Sequence, residues 1–241
     1  MNIDLFLSST EIQKEKLNDR IAVIIDVLRA STSIITALAN GCKSVIPVSE
    51  VEQARKMASK FSDQSVLLGG ERNEMIIPGF DLSNSPLEYK VEIVKNKWII
   101  FTSTNGARLF EYSQFANKTV IGGFVNVTVL SQFIINNKKD IAILCAGKNN
   151  QFGLEDAVCG GMLVDKIINK ITDSLILNDS AMAAHILYQN YQQNLIDMLY
   201  RTSHGRRLIE IGQEKDFAKC AAVDSIEIIP VLNGEELIPL T

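Results

Sequence analysis

Five apolar residues in a row, Ile21 to Ile25, stop at Asp26, and apolar positions resume after Arg29, Ser31, Thr32 and Ser33. A short unbroken apolar run predicts a strand covered on both faces. The segment STSIITALAN that follows, closed by Gly41, predicts a helix with a glycine stop. The alternation then continues. KSVIPV predicts a strand, EVEQARKMASKF an amphipathic helix and SVLLGG a third strand. Residues 71–90 predict a loop broken by Pro78, Gly79, Asn84 and Pro86.

A second round follows. KWIIFT, KTVIGG and DIAILCAG predict strands, with NGARLFEYSQF and NVTVLSQFIINN as the intervening helices. The chain thus predicts two βαβαβ-like halves, about residues 1–90 and 91–241, within one compact domain. LEDAVCGGMLVDKIINKI, SAMAAHILYQNY, NLIDMLYRTSHGRRLIEIG and EKDFAKCAAV carry helical spacing, the first weakened by Gly160 and Gly161. DSIEIIPVL predicts a final strand. The fold class is three-layer α/β, with a largely parallel sheet, C-terminal helices and that last strand.

In parallel α/β sheets, ligands bind beyond the carboxyl ends of the strands. Polar residues collect there after each predicted strand. Asp26, Arg29, Ser31 and Thr32 follow the first, Gly69-Gly70-Glu71-Arg72-Asn73 the third, and Thr102-Ser103-Thr104-Asn105-Gly106 the fourth. Gly122-Gly123-Phe124-Val125-Asn126 follows the fifth. Ala146-Gly147-Lys148-Asn149-Asn150 follows the sixth, before Glu155-Asp156 opens a helix. This places carboxylates, arginines, hydroxyls and glycines at one end of one sheet.

Such a set suits phosphate esters. Hydroxyls and free backbone N–H groups at a helix start cradle phosphoryl oxygens. RASTSII and STNGARLF both fit. Arg29 or Arg72 would give a bidentate contact to an oxyanion, and Asp26, Glu71 and Asp156 would hold a hard cation. Each residue also has a plainer reading. Ser or Thr before a helix serves as an N-cap, Arg29 pairs with Asp26, and Glu155-Asp156 complements the helix dipole. His185 lies among apolar helix positions and reads as packing. His204 reads as a residue of a polar loop before a helix, and Cys145 as a packed small residue.

Composition narrows the classes. The chain has 241 residues, 46% hydrophobic and 22% charged, as in a soluble globular protein. Its net charge of −4 gives no basic field for nucleic acid. No apolar run approaches the ~20 residues of a membrane span, and the acidic start MNIDLFLSSTEIQKEK is no secretory signal, so a cytoplasmic protein is expected. The four cysteines form no CxxC pair and read as free thiols. Two histidines do not make a histidine-rich zinc site, which leaves magnesium on oxygen ligands as the expected metal. The DxDx[T/V] pattern of haloacid-dehalogenase phosphatases fails at Leu28, and the phosphate-binding pattern GxxxxGK[ST] and the dinucleotide pattern GxGxxG are both missing.

Taken in order, DVLRAST, GGER, GFDLSNSP, TSTNGA, GGFVN, CAG, ED followed by CGG, and SHGRRL resemble the 2-phosphosulfolactate phosphatases of the ComB family, over about Ile24 to Asp224. Ala107 stands where that family usually has Thr. The resemblance implies a magnesium-dependent phosphatase that converts (R)-2-phospho-3-sulfolactate to 3-sulfolactate and phosphate, a step towards coenzyme M. Asp26, Arg29 and His204 are then the expected catalytic residues. Ser31, Thr32, Arg72, Ser103, Thr104, Asn105, Gly106 and Asn126 are the expected substrate contacts, and Asp26 with Glu71 or Asp156 the expected metal ligands. Water or a carboxylate, Asp26 first, attacks phosphorus. A homodimer is an ordinary expectation for such an enzyme. The alternatives are a phosphatase for another phosphorylated hydroxy acid, a module that binds a phosphometabolite without turnover, and a nicotinamide-dependent oxidoreductase.

Overall fold

The computed structural model describes residues 1–61, 65–171 and 174–240. The first third holds β1 (Asn2–Phe6), β2 (Ile21–Ile25), α1 (Ala30–Ala39), β3 (Ser44–Pro47), α2 (Val51–Ala58), β4 (Val66–Arg72) and β5 (Met75–Ile76). Then come α3 (Val91–Val94), β6 (Trp98–Thr102), α4 (Ala107–Ser113), β7 (Lys118–Gly122), α5 (Val127–Asn137), β8 (Ile141–Cys145) and α6 (Leu154–Ile168). The chain closes with β9 (Ile176–Leu177), α7 (Asp179–Tyr191), α8 (Leu195–Arg201), α9 (Ser203–Glu210), α10 (Asp216–Cys220), β10 (Pro230–Asn233) and β11 (Glu236–Pro239).

The strands form one sheet in the order β5-β4-β6-β3-β11-β10-β7-β2-β8-β1-β9. It is a mixed, mostly parallel sheet covered by helices, as the alternation predicts. The pairing nonetheless interleaves the two predicted halves. β2 lies between β7 and β8, with Ile21 opposite both Lys118 and Ile141, and β6 lies between β4 and β3. Two parallel blocks result, β4-β6-β3 and β7-β2-β8-β1-β9. The antiparallel hairpin β10–β11 joins them, pairing with β7 on one side and β3 on the other. Three antiparallel steps separate β7 from β3, so the blocks run in opposite senses. The expectation that all the polar clusters share one carboxyl edge is corrected accordingly.

Helix α1 sits where the blocks meet. It packs against β3, β7 and both strands of the hairpin, and its residues from Ala30 to Leu38 are all buried. A helix enclosed on all sides needs apolar or small residues all round, which ASTSIITAL supplies. Strand alternation sorts the rest. Ala22, Ile24, Val45, Ile99 and Phe101 face the α1 side. Val23, Ile25, Ile141 and Ile143 face a second core with α5 and α6, and Ile46 and Ile100 pack with Ala54 of α2.

Several predicted elements differ in detail. The helix expected over 194–212 is two helices, because Thr202 caps α9 by accepting Gly205 N–H on Oγ1 at 2.8 Å. The last strand starts only at Pro230 and turns back at Gly234 into β11. The 71–90 loop begins inside β4 and carries β5. His185 is half-buried rather than core and pairs with Asp165 at 2.9 Å. Among the described residues, no helix is long and apolar enough to cross a membrane.

Gly160 and Gly161, which weaken the predicted helix, are close-packing positions instead. A Cβ on Gly160 would come within 2.8 Å of Leu5 Cδ1, and one on Gly161 within 2.0 Å of the Ala184 carbonyl oxygen. The two helices cannot separate by that much without opening the core between them. Gly161→Ala is therefore expected to destabilise by about 1–3 kcal/mol, several degrees of melting temperature. Thermal unfolding checks this, and an unchanged melting temperature would show that α6 and α7 tolerate the extra carbon.

Candidate active site

The start of α1 is built around Asp26. Its backbone N–H donates to Ser31 Oγ at 2.9 Å, its carbonyl accepts Ser31 N–H at 2.9 Å, and its Oδ1 accepts Ala30 N–H at 3.3 Å. Thr32 Oγ1 donates to the Val27 carbonyl at 3.1 Å. The two hydroxyls therefore close the strand-to-helix turn and do not line the cavity in front of it. The Leu28–Arg29 peptide bond is cis.

Three other loops converge on this turn. Glu71 at the end of β4 accepts Thr104 N–H on Oε1 at 2.6 Å, and Thr104 Oγ1–H and Glu74 N–H on Oε2 at 3.0 and 2.7 Å. That binds the loop after β4 to the loop after β6. The latter lies against Asp26: a Cβ on Gly106 would stand 2.9 Å from Asp26 Oδ2 and 3.6 Å from Ala30 Cβ. Asp156, in the first turn of α6, accepts Val27 N–H at 2.8 Å and Gly147 N–H at 2.9 Å. It ties the loop after β8 to the loop after β2 and uses both oxygens in doing so. Neighbouring Glu155 accepts from, or donates to, His204 Nδ1 at 3.2 Å. His204 lies in the first turn of α9, not in a loop, and is buried.

These contacts enclose a small cavity of about 50 Å³ lined by Asp26, Arg29, Glu71, Thr104, Asn105 and His204, with further asparagines beside them. Three carboxylates, those of Asp26, Glu71 and Glu74, with a guanidinium, an imidazole and amides in so small a space suit a compact anionic group together with a cation. A family model described as 2-phosphosulpholactate phosphatase matches residues 6–235. The chain belongs to this family. A probable 2-phosphosulfolactate phosphatase of Caldanaerobacter subterraneus subsp. tengcongensis is 40% identical over 234 residues, covering 97% of this chain and 96% of the relative. One of the same name from Symbiobacterium thermophilum is 38% identical over 94% of this chain and 97% of its own length. Another, from Clostridium acetobutylicum, is 37% identical over 98% of this chain and 100% of its own length. The name describes a phosphoric monoester hydrolase.

Within this phosphosulfolactate phosphatase fold, Asp26, Arg29, Glu71, Thr104, Asn105 and His204 meet at one cavity, with Gly106 pressed against Asp26. Other expected residues lie elsewhere. Arg72 turns away, donating to Thr102 Oγ1 at 2.8 Å and to the carbonyls of Glu71 and Ser49. It lines an adjoining surface depression with Ser103 and Arg108, and Thr104 borders both. Asn126 accepts Gly123 N–H and donates to the Ile121 and Ile228 carbonyls, a structural cap with no face on the cavity. Arg29 pairs not with Asp26 but with buried Asp216, at 2.6 Å, while Ser85 Oγ donates to the other Asp216 oxygen at 2.6 Å. Its guanidinium still borders the cavity.

Residues outside the expected set complete the wall. Glu155 orients His204, and Asn84 comes from GFDLSNSP. Glu74 bridges Lys148 at 3.0 Å and Arg207 at 3.5 Å at the rim. Burial pushes Glu74 up, but Lys148, His204 and Arg207 hold it below the ordinary carboxylate value. Cys145 is wholly buried and burial raises its thiol well above the usual range, which disfavours the thiolate.

The acids repel one another. Burial raises Asp26 to about 6; His204 draws it down, and Glu71 and Glu155 push it up. Burial raises Asp156 well above its ordinary value, with Glu155 and Asp26 adding to the rise. Among the described residues no three His, Cys, Asp or Glu side chains form a ready metal cage. Asp26 and Glu71 are the acids of the expected metal set that face the cavity. Magnesium typically takes one or two carboxylates and completes its shell with substrate and water oxygens, and these two hard donors fit that habit.

A raised carboxylate costs stability wherever it is charged in the folded chain. For Asp26 the cost is absent below about pH 4, grows as pH rises, and is complete above about pH 6. Asp26→Asn is therefore expected to raise the stability of the chelator-treated protein at pH 7.5 by on the order of 2 kcal/mol, and to abolish turnover. Melting curves at pH 4.5 and 7.5 check the first part. A variant less stable than the parent at pH 7.5, or one that keeps near-normal activity, would sink the assignment.

Proposed function

We propose that this protein hydrolyses 2-phosphosulfolactate to 3-sulfolactate and phosphate with magnesium bound by Asp26 and Glu71. The observation that carries this is the whole-length relationship to phosphatases of that name, and the acid-lined cavity fits it. In a cell that makes coenzyme M, the reaction would lie on the route to it. In other cells the same site suits another phosphorylated hydroxy acid. Four buried free thiols support a reducing, cytoplasmic setting.

Bound magnesium would polarise phosphoryl oxygens and neutralise charge on them. The chain's own groups do the rest. Arg29, fixed by Asp216, presents a rigid guanidinium to an anionic oxygen. Thr104 and Asn105 line the same cavity. Glu155 holds Nδ1 of His204, and Nε2 makes no hydrogen bond among the described residues. With both ring nitrogens protonated, Nδ1–H stays on Glu155 and Nε2–H is placed to protonate the leaving oxygen. Water forms the new bond to phosphorus as the bond to the lactate oxygen breaks. That oxygen leaves with the electron pair and takes the Nε2 proton. The proton lost by the attacking water returns to His204 through the phosphate product, which balances the cycle.

A general acid matters only where the leaving group needs a proton. His204→Gln is therefore expected to lower kcat on phosphosulfolactate by about 10²–10⁴-fold, with a much smaller loss on p-nitrophenyl phosphate, whose phenolate leaves unprotonated. Equal losses on both would remove His204 from that role. Phosphate release from a panel of phosphosulfolactate, phospholactate and p-nitrophenyl phosphate, with magnesium or with chelator, tests the reading itself. Release from phosphosulfolactate only with magnesium is expected. No release from any substrate would favour a binding module.

A further inference from the structure

Among the described residues two side-chain polar atoms are buried without a hydrogen-bond partner, Ser44 Oγ and Asn84 Oδ1. Ser44 lies in β3, away from the cavity, whereas Asn84 lines it. Asn84 is only 4% exposed. Its surroundings are otherwise fully engaged. The Asn84 carbonyl accepts Ser33 Oγ–H from α1 at 2.8 Å, and Ser85 Oγ donates to the carboxylate that holds Arg29. Asn84 thus lines the cavity together with Arg29, and Oδ1 of its carboxamide has no partner among the described residues.

A buried amide without a partner is costly, and natural folds seldom keep one. A partner that arrives with the ligand would explain it. A half-turn of the last side-chain torsion exchanges the acceptor and donor ends of an amide. Asp26, Glu71, Arg29 and Asn84 all line this cavity, so an anionic ligand there meets a guanidinium and the N–H donors of a carboxamide. We propose that Asn84 binds substrate, its carboxamide donating to an oxyanion oxygen of the phosphorylated acid beside Arg29. This rests on the phosphatase reading above. The oxyanion belongs either to the phosphoryl group or to the sulfonate and carboxylate end.

Asn84→Ala and Asn84→Leu test it, with magnesium present throughout. Calorimetric binding of inorganic phosphate and of 3-sulfolactate separates the two sources and needs no turnover. Weakening by about ten- to a hundredfold is expected, the span for one hydrogen bond to a charged group, with an unchanged or higher melting temperature for Asn84→Leu. Loss confined to phosphate assigns Asn84 to the phosphoryl end, and loss confined to sulfolactate assigns it to the acid end; both support the proposal. Unchanged binding of both ligands overturns it. So does a fall of several degrees in melting temperature for both variants, which would mark a structural role, or a wild type that binds neither probe. A wild type that binds them but releases no phosphate overturns only the phosphatase reading.

Discussion

Burying carboxylates of like charge around one helix start is the constraint that organises this molecule. Asp26, Glu71, Glu155 and Asp156 are each at most 5% exposed. Charges removed from water need replacement donors or an opposite charge. The chain answers mainly with backbone. Asp156 takes two N–H groups from two loops, and Glu71 takes Thr104 N–H and Glu74 N–H. Glu155 takes an imidazole, and Asp26 takes a single long contact from Ala30. Even the short bonds to Asp156 do not offset its burial beside Glu155 and Asp26, and both aspartates stay raised. Each acid of the cluster therefore makes its neighbours harder to ionise.

The positive side of the site depends on the C-terminal third. Arg29 lies in the first third, yet Asp216 of α10 fixes it, with Gln213 at 3.3 Å. A salt bridge with both partners almost completely buried is weak evidence of net stability but strong evidence of a fixed position. α9 likewise delivers His204 to a glutamate of α6. The cavity closes only when residues from positions 26 to 216 have all come together. A family match spanning nearly the whole chain agrees with a site of that kind.

Much of the fold was legible in the sequence, and the site was legible in part. Unbroken apolar runs marked β2, β6, β7 and β8 because buried parallel strands have no wet face to interrupt them. β1 was not legible because NIDLF is short and precedes the apolar runs that mark the other strands. The pairing was not legible: strand order is decided by long-range packing, and nothing in IAVII says that its neighbours are the fifth and sixth predicted strands. The cavity brings together Asp26, Glu71 and His204, which residue chemistry singles out. Ser31, Thr32 and Asn126, expected at the substrate, have polar atoms that close turns, because a polar side chain that caps a turn and one that grips an oxyanion look alike in sequence. Asn84 had the opposite problem. In a loop with Ser83, Ser85 and Pro86 it looks like turn chemistry, and only its buried, unpaired amide distinguishes it.

The opposed strand blocks explain why close approach, rather than a shared sheet edge, gathers the site. In a sheet of one sense the carboxyl ends line up, and a crevice forms where the strand order reverses. Here the hairpin β10–β11 reverses the sense between β7 and β3, so the loops after β4 and β6 meet Asp26 by lying on the start of α1. That contact leaves no room for a side chain at Gly106, where a Cβ would press on Asp26 Oδ2 and stand 3.1 Å from Ser103 Oγ. The glycine of TSTNG thus serves proximity and not backbone freedom, since its φ of −69° is open to any residue. The polar burst after IAVII and the TSTNG segment are therefore two surfaces of one contact. One contributes the buried acid, the other the loop that covers it.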